Sequence, residues 1–573
     1  MTPLYFGDCF GWLHPANGGR GAVICGAHGI EELCTHRFMR HLADELAAAG
    51  MPTLRFDYHG TGDSLGSDAD PDRVQQWLAS IQQAVECLKI ATGVSEVVLV
   101  GFRLGSLLAT QLAIQRSDIA MLALLGPVAS GKSYLREMKA LGLIIGQTTR
   151  AAPPGVIAPD VDDVVVAGFT ITAATKDELQ KIDLLTAQRA PAPRVLITGR
   201  PNAAADERLA QHLSSLGCQV KQAVLPGSAE LQWDTSFATL PSDAFTAVVR
   251  WLAQDLPAPR VSVTAYQPVT DLRSSEWHEQ PVSFGPEQRL FGIRCEPLSP
   301  RDQYQDKLIL FVNHGSNPHT GWARMYVTLA RRFATVGIAS LRMDISGMGD
   351  SPAHPHYAEN QLYARHSQID VYAALDWSQQ ASYESIILIG HCAGAYLSFY
   401  SALRDVRVSK LVMLNLQRFF WARGELLESA SKQTYHSSGW YWTVIRDPQM
   451  WRRLLTGKVN ASGIALALVR RLFQRGYSGV VGLLGPLLGT EGLSGKVVRW
   501  LRELSSRGTR VLLVYSSQDG GLDEIAEHTG ANGKKVRKLA NVKFHIIEGA
   551  DHNLTSAWSQ EAYAKVLEKF LTE

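Results

Sequence analysis

Long apolar runs are missing from this 573-residue chain. No stretch reaches the ~18 consecutive apolar residues that read as a membrane span, so a bilayer-embedded protein is not expected. An excess of one charge is missing too. Lys and Arg number 56 against 54 Asp and Glu, a net +2, which argues against a dedicated nucleic-acid binder. Cysteine is scarce: seven residues, with no C-x-x-C pair and no paired spacing. That argues against a disulfide framework or a zinc site and fits a reducing compartment. The first residues, Met1-Thr-Pro-Leu-Tyr-Phe-Gly-Asp-Cys9, lack the basic and apolar regions of a secretion signal. A cytoplasmic protein is the expectation.

Apolar residues are nevertheless plentiful, at 46%, and the length exceeds what one core usually holds, so two or more domains are expected. The stretch around which the chain is organised is Ile386-Ile-Leu-Ile-Gly-His-Cys-Ala-Gly-Ala395. A β-branched apolar run enters Gly390-His391-Cys392-Ala393-Gly394, and a helical pattern follows. This is the strand, sharp turn and helix of a nucleophile elbow, G-x-S-x-G, with cysteine in the serine place. Such a turn needs small neighbours, because the central residue sits in a strained backbone conformation. A cysteine there stands at a helix N-terminus, where partial positive charge favours the thiolate.

Strands alternating with helical segments imply βαβ units and a parallel sheet, and the chain writes this pattern twice. In the first half, strand Gly21–Gly26 leads to Ala27-His28-Gly29, a helix over Arg37 to Ala49, strand Pro52–Phe56 and the loop Asp57-Tyr-His-Gly-Thr-Gly-Asp-Ser64. A helix over Val74 to Ile90 and strand Glu96–Val100 end at Gly101-Phe102-Arg103-Leu104-Gly105. In the second half, strand Lys307–Val312 meets Asn313-His314-Gly315, then a helix over Ala323 to Ala334, strand Ile338–Arg342 and the loop Asp344-Ile-Ser-Gly-Met-Gly-Asp-Ser351. Subtracting numbers, His28 to His314, Asp63 to Asp350 and Gly101 to Gly390 are offset by 286, 287 and 289. A near-constant offset in three motifs marks a tandem duplication of a whole domain.

In that order the His-Gly turn, the Asp-x-x-Gly-x-Gly-Asp-Ser loop and the elbow resemble the α/β-hydrolase superfamily in both halves. Within it they resemble the serine-aminopeptidase/acylglycerol-lipase-like branch, and the first half, with Arg103 in its elbow, resembles exosortase-associated hydrolases, some of which carry a Leu-Arg elbow. The resemblance implies two tandem α/β-hydrolase domains, each a mostly parallel sheet flanked by helices. The expected boundaries are 1–256, a proline-punctuated linker 257–280, and 281–573 with a large, mostly helical lid at about 416–505.

A cysteine nucleophile needs a base, a group that orients the base, and donors for the oxyanion. The superfamily keeps its base after the last strand and its acid after the strand before. His552, after Val542–Ile547, and Asp519, after Arg510–Tyr515, take those places, with Asp523 as a weaker acid. The oxyanion donors are then the N–H of Ala393 and one from Ser316 or Asn317. His391 and His314 are expected to line the substrate pocket, and His545 to pack within its strand. In the first half Arg103 replaces the nucleophile, about Asn202 the acid and Glu230 the base, so that half is expected to be a pseudoenzyme. An Arg103–Glu230 pair would fill its site; an anion bound by Arg103 is the rival.

The expectation is acyl transfer or hydrolysis of an ester or thioester through a cysteinyl acyl-enzyme, with no metal or organic cofactor. The alternatives are a non-catalytic interaction scaffold and a peptidase or amidase. The lid segment is basic and aromatic (Arg446, Arg452, Arg470, Arg471; Trp440, Trp442, Trp451). It suits a hydrophobic acyl chain on an acidic acyl-carrier protein, or an anionic membrane surface.

Overall fold

The computed structural model describes residues 1–145, 162–199, 203–224, 235, 242–258, 266–421 and 493–573. Most of the expected lid, like Asn202 and Glu230, lies outside the described residues. Contacts divide the chain into two compact units: Met1–Val282 with Ile293–Leu298 and Thr320–Thr328, and Ser283–Gly292 with Ser299–His319 and Leu329–Glu573.

The first sheet holds β1 (Thr2–Phe6), β2 (Cys9–His14), β3 (Arg20–Cys25), β4 (Thr53–Phe56), β5 (Glu96–Phe102) and β6 (Ile119–Leu125). After a short hairpin of β7 (Val164–Val166) and β8 (Phe169–Ile171), β9 (Arg194–Gly199) and β10 (Gln219–Val224) complete it. The order is β1-β2-β4-β3-β5-β6-β9-β10. β1 to β2 and β2 to β4 run antiparallel, and the remaining pairs are parallel. Side chains alternate across a strand, and β5 shows the consequence. Val97 and Leu99 enter the core beneath helices Arg73–Thr92 and Leu104–Gln115. Val98, Val100 and Phe102 enter the opposite core, under Ile30–Ala48 and Ser242–Leu252. Both faces are covered, which is why these strands read as continuous apolar runs. Each fully buried Leu or Phe contributes roughly 1.5–3 kcal/mol.

The second sheet holds β11 (Leu272–Arg273), β12 (Trp277–Phe284), β13 (Leu290–Pro297), β14 (Lys307–Val312), β15 (Ala339–Asp344), β16 (Ser385–His391), β17 (Val408–Leu414), β18 (Arg510–Ser516) and β19 (Val542–Ile547). Its order is β11-β12-β13-β15-β14-β16-β17-β18-β19, and β15 to β19 are parallel. Setting aside β11, the two sheets follow the same sequence of crossovers. The likeness extends to single hydrogen bonds. Asp350 N–H donates to Asp344 Oδ2 at 2.9 Å, Ser351 Oγ to Asp344 O at 2.7 Å, and Phe291 N–H to Ser351 Oγ at 2.9 Å. Asp63, Asp57, Ser64 and Phe10 make the same three bonds at 2.9, 2.7 and 2.9 Å. The Asp-x-x-Gly-x-Gly-Asp-Ser loop thus closes on its own backbone polar groups, and that accounts for its residue types.

Three sequence-based readings shift. The first helix begins at Ile30 rather than Arg37, entered through Gly29 at φ 68° with Glu31 and Glu32 in its first turn, where acids suit the helix dipole. The helix expected from Ala323 starts at Met325, because Gly321 (φ 71°) and Ala323 (φ 46°) turn left-handed before it. His545 does not pack: β19 is an edge strand and its alternation puts that ring on the exposed face. Among the described residues no helix is long and apolar enough to cross a membrane.

The glycines flanking each elbow are held by close approach. A Cβ on Gly394 would lie 2.2 Å from the Asn313 carbonyl oxygen, and one on Gly105 2.0 Å from that of Cys25. Gly394→Ala is therefore expected to lower stability by about 1–3 kcal/mol, since backbone rather than a flexible side chain must yield. Urea unfolding checks this; an unchanged midpoint would mean that the strand and helix are not pressed together there.

Candidate active site

The sharp turn after β16 carries Cys392. Cys392 adopts φ 55°, ψ −117° as the cap of helix Ala393–Arg404, and its N–H is tied to Leu414 O at 3.0 Å. A left-handed, non-glycine residue of this kind costs of the order of 1–3 kcal/mol, which the surrounding structure must overrule. In return the side chain leaves the sheet at its carboxyl edge. There the first N–H groups of the helix, Ala393 among them, have no intrahelical acceptor and attract negative charge. Cys392 is the one cysteine among the seven that is not buried.

His552, in the loop after β19, faces that sulfur from the far end of the chain. Its Nδ1 makes a short hydrogen bond to Asp519 Oδ2, and the Cys392 sulfur lies close enough to the ring to act on its charge. Burial alone would lower the imidazole, but the Asp519 carboxylate and the sulfur outweigh it and hold His552 well above its ordinary value. Asp519 is fully buried, and its other oxygen accepts from Gly521 N–H at 2.7 Å. The carboxylate is thereby fixed in orientation, with one oxygen for the backbone and one for the imidazole. Asp523 lies in the first turn of helix Gly521–Thr529, and it is Asp519 that bonds His552.

Three neighbours had no prior reading as site residues. Asn415, just past β17, donates from Nδ2 to His552 O at 2.7 Å and to Ser516 Oγ at 3.0 Å. Its Oδ1 accepts from Ser516 N–H at 2.7 Å, so one buried amide pins the loop that carries the imidazole. Gln417 Nε2 lies 3.2 Å from His552 Nδ1. Tyr363 brings its phenol oxygen to 3.6 Å from the Cys392 sulfur, and its ring stacks on Trp421 at 4.5 Å and 8°. The only legible signal was a polar residue, Asn415, directly at a strand's carboxyl end.

His391 and His314 stack at 3.5 Å and 19°, with His552 5.2 and 6.1 Å from them. Since a carbonyl can only accept, His391 carries its proton on Nε2, which donates to His552 O at 2.8 Å. Burial pushes both His391 and His314 well below the usual histidine range, so both are neutral. Nitrogens of the three rings lie within 4.8 Å of one another. The two stacked rings, however, aim their in-plane lone pairs side by side rather than at one point. Of the two loop positions considered for the oxyanion, Asn317 donates its N–H to His314 O at 3.0 Å.

The corresponding turn of the first unit keeps the backbone and changes the chemistry. Arg103 has φ 52°, ψ −115°, nearly the angles of Cys392. Its Nε donates to Glu31 Oε1 at 2.7 Å and its Nη2 to Glu137. Glu230, expected as its partner, lies outside the described residues. Adding the His28-to-His314 offset of 286 to 31 gives 317, so Glu31 occupies the place of Asn317 in the loop after the His-Gly turn. Two carboxylates thus already occupy the guanidinium that an anionic ligand would need.

Residues 19–165 match the serine aminopeptidase (S33) family and residues 309–568 the alpha/beta hydrolase family. No curated protein matches the chain. Similar solved structures include Est1E of Butyrivibrio proteoclasticus with ferulic acid bound: 18% identity, 44% of this chain and 98% of that one, TM-score 0.33. An alpha-beta serine hydrolase homologue from Coxiella burnetii shares 14% identity over 52% of this chain and 99% of that one, TM-score 0.30. The hydrolase GrgF from a Penicillium species shares 17% over 51% and 96%, TM-score 0.30. Matched over both halves and built on two sheets of one strand order, the chain is a tandem of α/β-hydrolase domains and belongs to the α/β-hydrolase superfamily.

Proposed function

We propose that the second unit catalyses acyl transfer or hydrolysis of an ester or thioester through a thioester on Cys392, with His552 as base and Asp519 as its orienter. Hydrolase chemistry in general is supported by both matched families. The cysteine step rests on one observation: His552 bonds the Asp519 carboxylate and lies near enough to the Cys392 sulfur for the two to interact, although the three residues are far apart in the chain.

The thiolate attacks the acyl carbon, a C–S bond forms, and the carbonyl electrons move to oxygen, which Ala393 N–H and the loop after Gly315 receive. One such donor is worth about 2.7–4 kcal/mol. Collapse breaks the bond to the leaving group, which takes the His552 proton. Water or an acceptor then gives a proton to His552, attacks the thioester carbon, and releases the sulfur as thiolate. Asn415 and His391 hold the backbone of His552 in place for both proton transfers. The first unit, with an ion-paired arginine at its elbow, serves as a pseudoenzyme. A reducing, cytoplasmic setting suits the free thiol. The basic segment within residues 422–492 suits delivery of the acyl group by an acidic carrier or an anionic surface.

Intact-mass analysis after incubation with a panel of acyl thioesters tests the reading. A single acyl adduct on Cys392, absent from Cys392→Ala and greatly slowed in His552→Ala, is the expected result. Failure of every thioester and ester to leave an adduct or be turned over would favour the scaffold instead.

A further inference from the structure

Tyr363 is placed more carefully than a wall of a pocket requires. Its phenol oxygen lies 3.6 Å from the Cys392 sulfur, and the residue is buried at 5% exposure. The ring has little freedom to swing away, with Trp421 parallel on one side and Tyr396 edge-on at 5.3 Å and 75°. Its backbone is left-handed, φ 56°, which costs a bulky aromatic residue energy that an ordinary loop would avoid. Three other non-glycine residues with positive φ stand at this site: Cys392, Asn415 and Leu554. Strain gathered there points to geometry held for chemistry.

We propose that Tyr363 is a positioning residue that donates its phenolic hydrogen to the Cys392 thiolate, sharing the sulfur with His552. The inference rests on the reading of Cys392 as the nucleophile. The other titratable or charged groups facing the pair are His552, Asp519 and Arg418, with His391 and His314 behind His552. Burial and the neighbouring sulfur hold the Tyr363 phenol well above its ordinary value, so it stays protonated and acts as the donor.

The consequence is a trade that a merely structural tyrosine would not produce. A donor to the thiolate raises the fraction ionised, and it also quiets the sulfur, because the bond weakens as the sulfur loses its charge to the new C–S bond. Charge-assisted bonds of this kind are strong enough to move a titration by about one to two pH units. A more basic thiolate is the better nucleophile, by about threefold per unit.

The test is the pH profile of Cys392 alkylation by iodoacetamide in the full chain, read by peptide mass, for wild type and Tyr363→Phe. The expected result is a crossover: Tyr363→Phe reacts about three- to tenfold more slowly at the acid end, its midpoint lies about one to two units higher, and its limiting rate at high pH is greater. Superimposed profiles, or a rate reduced by the same factor at every pH, overturn the proposal. Incorporating 3-fluorotyrosine at position 363 gives a shape-preserving check should the phenylalanine variant not fold. A stronger donor must move the midpoint to lower pH; no movement, or movement upward, overturns it. Loss of the nucleophile reading shows separately, as turnover that survives Cys392→Ala, and leaves the alkylation result standing or falling alone.

Discussion

Cys392→Ala is expected to lower ester and thioester turnover by about 10⁴–10⁶-fold while leaving the unfolding midpoint nearly unchanged. The size follows from removing the atom that forms the covalent bond, after which only oxyanion donors and binding remain to act on the substrate. The small effect on stability follows from position. Cys392 is partly exposed at a turn whose shape is set by Gly390 and Gly394, so alanine inherits the same backbone without leaving a core cavity. Cys392→Ser is the informative companion. It restores the G-x-S-x-G spelling but removes the charge that helps hold His552 protonated. Its activity should therefore need a neutral imidazole as general base and should rise with pH through the histidine range. Steady-state assays with matched oxygen and thioester substrates measure both variants, and turnover of Cys392→Ala within tenfold of wild type would remove sulfur from the mechanism.

Acid is expected to act on the fold through buried groups of two kinds: histidines kept neutral, which lose stability as the pH falls, and the Asp57 carboxyl, raised by burial to about 7, which gains it. His28, fully buried, is lowered to about 4, by burial first and then by Arg73. A histidine depressed in this way contributes stability above its unfolded value of 6.5 and loses it as the pH falls toward the folded value. For His28 the interval of about 2.5 units corresponds to about 3 kcal/mol. His314 and His391 act in the same direction. His552 acts in the opposite one: raised in the folded state, it adds stability below 6.5 that is lost as the pH climbs through its folded value. The net slope below 6.5 is the balance of these groups, and the share of His28 in it is a loss. Urea unfolding from pH 8 to 4 measures it, with His28→Gln expected to flatten the acid limb. An identical acid limb in that variant would mean that His28 takes up its proton while folded.

The two elbows were legible because their demands are local. A nucleophile turn cannot tolerate side chains at Gly390 and Gly394, and a strand buried on both faces must be apolar throughout, so a short window carries the signal. The partner of Arg103 was harder. Matching slots at the end of the first half pointed to Glu230, whereas Glu31 lay in plain view, two residues past Gly29, at a position the duplication offset maps onto Asn317. His545 misled for a similar reason: alternation says which residues share a face but not which face meets solvent, and that depends on β19 being an edge strand.

By itself the sequence determined the doubled domain, the strand-turn-helix at Cys392, and the strand ends at which Asp519 and His552 stand. These follow from spacing, residue volume and backbone freedom, all of which act over a few residues. Tertiary structure alone decided that Asn415 and His391 would grip the carbonyl of His552, that Tyr363 would reach the sulfur, and that Arg103 would close on Glu31 and Glu137. Such contacts join atoms whose chain separation carries no pattern. They exist because buried polar groups must find partners in three dimensions, and the partner is whichever group the packed sheet and helices bring within reach.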